Sequence, residues 1–285
     1  MERHEAREWT HDDASGSVRA PSADDDKYRR GVLGVVTGSN EYPGAAVLSV
    51  EAAHRTGVGM VRYVGPRAPR ALVLARRPET VPGRGRVQAW LIGSGIAADR
   101  RTFLLLGELT HALSSELPVV LDAGALDLVG QRTGPTVITP HAGELQRLFA
   151  ARETTGPTEH PAEDPAAWAT AAAHELGVAV LLKGAVTHVA DPSGNAYTVT
   201  APTHWLASAG TGDVLGGILG ALAATHAAEI LDDPTVLTKL AATAAYLHGQ
   251  AAVAASRAVG GGPIVALDIA AALPAAAGGL LAPTD

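Results

Sequence analysis

From residue 31 onward, short unbroken apolar runs alternate with stretches of helical period, and this alternation constrains the fold more tightly than any other feature. Residues 31–36 read as a buried strand, 37–43 as a turn, 44–55 as a helix and 58–64 as a second strand, which is a βαβ opening. The pattern predicts strands at 87–92, 118–122 and 136–139, with helices around 99–115 and 143–150. Residues 151–165, rich in Thr, Glu and Pro, form a loop, and 165–176 read as a helix. Shorter strands follow at 178–183, 187–190 and 195–199, then Ala-rich helices at 213–226 and 234–256 and a final segment from Leu267. Strands spaced by helices in this way predict an α/β fold, a mostly parallel central sheet covered by helices on both faces.

Composition bounds what such a sheet can do. A chain of 285 residues, 47% of them apolar, can bury a core as one domain, expected over residues 27–285. Residues 1–26 mix charges with Ser, Pro and Gly and end in Asp24-Asp25-Asp26, so they read as a disordered tail whose removal leaves stability unchanged. A formal charge of −7 offers no broad attraction to nucleic acid or to anionic lipid and points to a small-molecule partner. Without cysteine there are no disulfides, thiolate nucleophiles or cysteine-bound metals. No apolar run reaches the roughly 20 residues that span a bilayer, and the first 30 residues lack a signal-peptide core, so a soluble, cytoplasmic protein is expected.

The segment Ala207-Ser208-Ala209-Gly210-Thr211-Gly212-Asp213 precedes the apolar helical run that starts at Val214. Two glycines beside a helix start let backbone approach an anion, and the free N–H groups and dipole there favour phosphate oxygens. Asp213 would repel that phosphate, so it makes chemical sense as a base facing an attacking hydroxyl. It would also serve as an ordinary helix cap. Spacing alone does not separate the two.

The segment Ala209-Gly210-Thr211-Gly212-Asp213-Val214-Leu215 resembles the anion-hole and catalytic-base signature of ribokinase-like kinases, in the form carried by NAD(P)H-hydrate dehydratases. The resemblance runs from about Lys27 to about Leu280 and implies the ribokinase-like fold. Thr139-Pro140-His141-Ala142-Gly143-Glu144 resembles the family's Thr-Pro-His-x-Gly-Glu segment, which implies that His141 touches the hydrate and that Glu144 orders Mg²⁺ through water. Thr37 to Ala46 resembles a Gly-Ser…Gly-Ala segment and implies that backbone near Ala45 lines the hydrate site. Gly93-Ser94-Gly95-Ile96-Ala97 keeps two glycines of a Gly-Pro-Gly-Leu-Gly pattern, so Gly95 is carried over as substrate-binding. Lys183-Gly184-Ala185-Val186-Thr187 resembles the nucleotide-binding turn, which with Gly210, Thr211 and Gly212 would hold the nucleotide. In Asp122-Ala123-Gly124 the glycine replaces the second aspartate of the family pattern, leaving Asp122 alone as a candidate to bond substrate or phosphate-bound water. His248 lacks ligand spacing and reads as structural.

The resemblance implies dehydration of hydrated NADH or NADPH, driven by phosphorylation of the ring hydroxyl and elimination of phosphate, with ADP as the expected donor and ATP as the alternative. Asp213 would be the catalytic base as well as a substrate contact. Magnesium is the expected metal, a homo-oligomer the expected assembly, and an NAD(P)H-hydrate epimerase the expected functional partner. The competing reading is a ribokinase-like kinase of a small alcohol or vitamin precursor; a nucleotide-binding module without catalysis is the third.

Overall fold

Within each central strand the side chains divide between two helical layers. In β2 (Val32–Val36), Leu33 and Val35 join one core while Val32 and Val36 join the other. Leu91 of β5 (Ala89–Ile92) and Val120 of β6 (Val119–Leu121) face the first layer, and their neighbours Ile92 and Leu121 the second. This period-two split over continuous apolar runs marks strands buried on both faces.

The computed structural model describes residues 6–281. The other strands are β1 (Arg7–Glu8), β3 (Met60–Tyr63), β4 (Val81–Pro82), β7 (Thr136–Ile138), β8 (Ala179–Leu182), β9 (Val186–Ala190) and β10 (Ala196–Thr200). They form one sheet in the order β1-β10-β9-β8-β7-β6-β5-β2-β3-β4. Only β9 runs against its neighbours, so the sheet is mostly parallel, as predicted. One face is covered by α2 (Pro43–Thr56), α7 (Thr211–Thr225), α9 (Thr235–Ala258) and α10 (Ala266–Leu281). The other carries α4 (Phe103–Leu113), α5 (Ala142–Ala151) and α6 (Pro165–Leu176). No described helix is long and apolar enough to cross a membrane.

Small residues let the helices lie close. A Cβ on Gly217 of α7 would fall 2.3 Å from the Ser49 carbonyl oxygen of α2, so those backbones touch only because that position is glycine. The helix expected over 99–115 is broken: a single 3₁₀ turn at Ala98–Arg100 precedes α4, which Thr102 caps through the Leu105 N–H. Two further helices, α3 (Arg67–Arg76) and α8 (Ala227–Asp232), also form. Glu51 of α2 is fully buried; it pairs with Arg55 one turn on in α2 and ties the end of α3 to α2 through Arg76 and Arg77. Burial would raise its pKa, but these guanidiniums outweigh burial and hold the carboxyl well below the usual range.

The reading of 1–26 as a disordered tail is corrected from Ala6 onward; residues 1–5 lie outside the described residues. β1 extends the sheet by pairing in parallel with β10. Trp9 is 5% exposed, packs edge-on against Tyr197 at 4.7 Å and donates its indole N–H to Thr243 at 3.1 Å. The short helix α1 (His11–Ser15) carries a Thr10/Asp13 capping box and buries Ala14. Average composition hid this, because the segment docks through few apolar side chains, Trp9 and Ala14 in the core with Val18 packed against it.

Candidate active site

The parallel strands deliver polar groups to their carboxyl ends, where ligands bind in open α/β sheets. Asp122 directly follows β6 and is buried, and the next residue, Ala123, takes a left-handed φ of 48° that swings the chain sharply away. Asp122 accepts from the Ser94 hydroxyl at 2.7 Å, the Thr139 hydroxyl at 2.7 Å and the Lys183 ammonium at 3.0 Å. Those partners come from the ends of β5, β7 and β8, so four strands converge on one carboxylate. Burial pushes its pKa up, but the Lys183 charge and the two hydroxyls outweigh burial and keep Asp122 ionised.

Lys183 is the electrostatic hub. Its ammonium also stands 3.7 Å from Glu144, and burial, which would lower its pKa, is overcome by Asp122, Glu144 and Asp213. A Cβ on Gly212 would lie 3.8 Å from the same nitrogen, which puts the start of α7 beside the ammonium. The N-cap of α7 is Gly210 at φ 85°, and no side chain caps the helix; the Thr211 N–H turns back to the Ser208 carbonyl, while the Gly212 and Asp213 N–H groups stay free for an anion. A Cβ on Gly210 would also meet Leu48 at 2.5 Å, so the position demands glycine twice over.

Asp213 stands in the first turn of α7, and among the described residues it accepts no hydrogen bond from a helix N–H. The helix-cap reading therefore has no support. Burial raises its pKa, the Asp122 anion adds to this, and the Ser94 hydroxyl and Lys183 oppose it, leaving the carboxyl at about 6. A carboxyl so placed can accept a proton near neutral pH.

His141 is the N-cap of α5: its Nδ1 accepts from the Gly143 and Glu144 N–H groups at 3.1 and 3.3 Å. Glu144 reaches back to the His141 N–H at 2.8 Å, closing a capping box. The ring tautomer is thereby set with Nδ1 unprotonated, and Nε2 is turned toward Glu144 at 3.6 Å. A parallel bridge joins His141 to Lys183, with the Lys183 N–H donating to the Pro140 carbonyl at 2.8 Å. The glycine turns lie on the other side of Asp122. The Gly38 N–H donates to the Ser94 carbonyl at 2.7 Å, and a Cβ on Gly95 would be 2.7 Å from that of Ala45. Ala45, Gly95, Asp213 and, through Lys183, His141 thus border one region.

A cleft of about 380 Å³ opens beside it, lined by Lys183, Gly184, Ala185 and Thr187 on one side and Thr211 and Gly212 on the other. Val186 belongs to the same turn but is 38% exposed and is not part of the lining. The lining includes His248, which the sequence pattern assigned to structure; only its distance from the motifs along the chain concealed it. Ser94 was legible solely as a departure from a glycine pattern, with nothing to show that its hydroxyl would reach Asp122. Among the described residues no group of three or more His, Asp or Glu side chains could hold a metal by itself.

A mostly parallel sheet with an uncapped, glycine-led helix facing a lysine and a perturbed aspartate defines a ribokinase-like protein. The chain belongs to the NAD(P)H-hydrate dehydratase family, whose sequence model matches residues 33–274. It is 44% identical over 225 residues to the bifunctional NAD(P)H-hydrate repair enzyme Nnr of Mycobacterium tuberculosis, covering 75% of this chain and 45% of that protein. With the Nnr of Corynebacterium glutamicum it shares 40% over 284 residues, covering 90% and 48%. The chain thus spans about half the length of these curated relatives. Its structure resembles that of the ADP/ATP-dependent NAD(P)H-hydrate dehydratase of Bacillus subtilis, co-crystallized with ATP/Mg²⁺, with a TM-score of 0.80, 26% identity and 96% and 98% of the two chains covered. A hydroxyethylthiazole kinase from Pyrococcus horikoshii shares the fold at a TM-score of 0.59 and 18% identity, covering 93% and 92%.

Proposed function

We propose that this chain dehydrates the hydrated nicotinamide ring of NADH and NADPH at the expense of a nucleotide, with ADP as the donor and ATP as the alternative. The observation that carries the reading is Asp213: a carboxyl at about 6, free of any capping duty, beside Lys183 and the open start of α7. Asp213 takes the proton of the ring hydroxyl as its oxygen attacks the terminal phosphorus of the nucleotide. The free N–H groups at Gly212 and Asp213 and the Lys183 ammonium beside them hold the transferring phosphoryl group and balance its charge. The ring nitrogen's lone pair then expels the phosphate. Loss of a neighbouring ring proton restores the dihydronicotinamide, with phosphate and the shortened nucleotide as the other products.

Lys183, Gly184, Ala185, Thr187, Thr211 and Gly212 form the nucleotide side, with Gly210 as the N-cap of the flanking helix, and Ala45, Gly95 and His141 the hydrate side, with Asp213 between. Glu144 suits a magnesium ion that keeps its waters, because it is a single half-buried carboxylate. Such an ion supplies charge neutralisation for the nucleotide phosphates. An epimerase that interconverts hydrate forms is the proposed functional partner, in keeping with the bifunctional relatives. The proposal places the protein in the cytoplasm as a homo-oligomer.

Hydrated NADH incubated with ADP, with ATP and with buffer tests the reading directly. Absorbance of the dihydronicotinamide ring should return only with nucleotide. A stable phosphorylated product from a small alcohol, with no recovery from the hydrate, would favour the kinase.

A further inference from the structure

His141 stands at the open margin of the site, its side chain 52% exposed. Arg147, one turn beyond Gly143 on α5, is exposed as well. Side chains on an α-helix lean toward its start, and Arg147 does so: a Cβ on Gly143 would lie 3.5 Å from its guanidinium Nη1 and 3.3 Å from the His141 ring. Imidazole and guanidinium therefore flank the one position on α5 that carries no side chain.

The fold gives that guanidinium no partner. Glu144, three residues earlier and the natural ion-pair partner on that helix face, is taken up by the His141 N–H and faces Lys183. Among the described residues no carboxylate lies within ion-pair reach of Arg147, whereas Arg100 and Arg101, in the loop after β5, are paired with Glu41 and Asp127. A cation held near the start of a helix also opposes the dipole there. Arg147 thus stands free where the fold alone gains nothing from it.

The charge balance of the site gives it a use. Asp122, Asp213 and Glu144 face one ammonium, that of Lys183. Hydrated NADH and NADPH each carry a pyrophosphate bridge, and NADPH a further phosphate, so the substrate approaches groups of its own sign. Such juxtaposition disfavours binding, and a cation at the margin offsets it. Arg147 supplies that cation beside His141, on the hydrate side, and is not part of the nucleotide cleft's lining. The fork of donors on a guanidinium matches two oxygens of one phosphate.

We propose that Arg147 anchors a phosphate group of the hydrated dinucleotide while the hydrated ring lies against Asp213. The inference rests on the dehydratase reading of this site. The competing explanation is an ordinary solvated arginine, which would leave every kinetic constant unchanged.

Steady-state turnover by the parent, Arg147→Met and Arg147→Lys, with hydrated NADH, hydrated NADPH and ADP varied in turn, separates these. Arg147→Met should raise KM for the hydrate about tenfold, the worth of one charge-assisted hydrogen bond, with kcat and the KM for ADP within twofold of the parent. Arg147→Lys keeps the charge and should recover part of the loss. Added salt should raise the parent's KM for the hydrate more steeply than that of Arg147→Met, which has lost the screened attraction. An increase for both hydrates assigns the contact to the pyrophosphate; one confined to hydrated NADPH assigns it to the extra phosphate. Unchanged KM for both hydrates, or an equal increase in the KM for ADP, would overturn the proposal. If the parent converted neither hydrate with ADP or with ATP, the dehydratase reading would fall and the anchor with it.

Discussion

Asp213→Asn isolates the group on which the chemistry depends, because asparagine nearly preserves volume and removes only the ionisable oxygen. Two magnitudes follow. Turnover of the hydrate should fall by roughly 10²–10⁴, the usual worth of a positioned proton acceptor. Stability should rise, and its size comes from the carboxyl's displacement from 3.8 to about 6. At about 1.4 kcal/mol for each tenfold change in proton affinity, holding this carboxylate ionised costs the native state up to about 3 kcal/mol, less whatever solvent at the cleft mouth screens. The sign is fixed by linkage. A carboxyl whose pKa is raised on folding favours the native state most below its unfolded value and loses that contribution as pH rises through about 6.

The asparagine variant should therefore be the more stable protein in urea at pH 8, and its advantage should shrink as pH falls through 6 and vanish below about 4. The parent's kcat/KM should decline on the acid side of about 6 as the base becomes protonated. Equal stability at pH 8 would refute the account of a desolvated carboxylate beside Asp122. Turnover within a few-fold of the parent would refute the assignment of Asp213 as base, whatever the stability showed.

His141→Ala should lose about 1–3 kcal/mol of hydrate affinity by calorimetry with nucleotide affinity unchanged. His141→Asn should suffer the same binding loss yet keep the melting temperature, because asparagine can cap α5; retained hydrate binding in both would leave His141 a cap alone. A truncation beginning at Lys27 should melt roughly 5–10 °C below the full chain, and Trp9→Ala should cost about 3–5 kcal/mol, since the indole is docked in the core. Lys183→Met should destabilise by about 3 kcal/mol in denaturant titrations by stranding the buried Asp122 carboxylate, and Lys183→Met with Asp122→Asn should recover part of that loss.

The architecture was legible because strands buried on both faces leave a coarse signature: continuous apolar runs separated by helix-length segments, as at 31–36 and 118–122. Segments β1 and α1 were not legible, since their docking depends on one tryptophan meeting Tyr197 and Thr243 far along the chain. The site divides in the same way. Gly210, Gly212, Asp213, His141 and Lys183 sit in contiguous motifs whose backbone demands show in the sequence itself, as the left-handed Gly210 does. The capping role of His141 was also there to be read, because Glu144 three residues on completes a capping box. His248 could not be found this way: it reaches the cleft only through the packing of α9 against the segment around Pro202.

Two of the departures from the pattern the chain resembles, Ser94 for proline and Gly124 for aspartate, meet in space. A Cβ on Gly124 would fall 1.4 Å from the Ile96 carbonyl oxygen, so the loop after β5 occupies the place that any side chain at position 124 would claim. Arg101 donates to the Gly124 carbonyl and to Asp127, fastening the loop's far end. With the loop closed, the Ser94 hydroxyl lies 2.7 Å from Asp122, where a proline would have no proton to donate. The electrostatic outcome follows. A second carboxylate near Asp122 would raise the proton affinity of Asp213 further, since like charges in a desolvated site disfavour ionisation. Here a neutral donor steadies Asp122, and the Ser94 hydroxyl and Lys183 both favour the Asp213 anion. Asp122 is thus the one carboxylate of the 122–124 turn, and after burial its anion is what raises the proton affinity of Asp213.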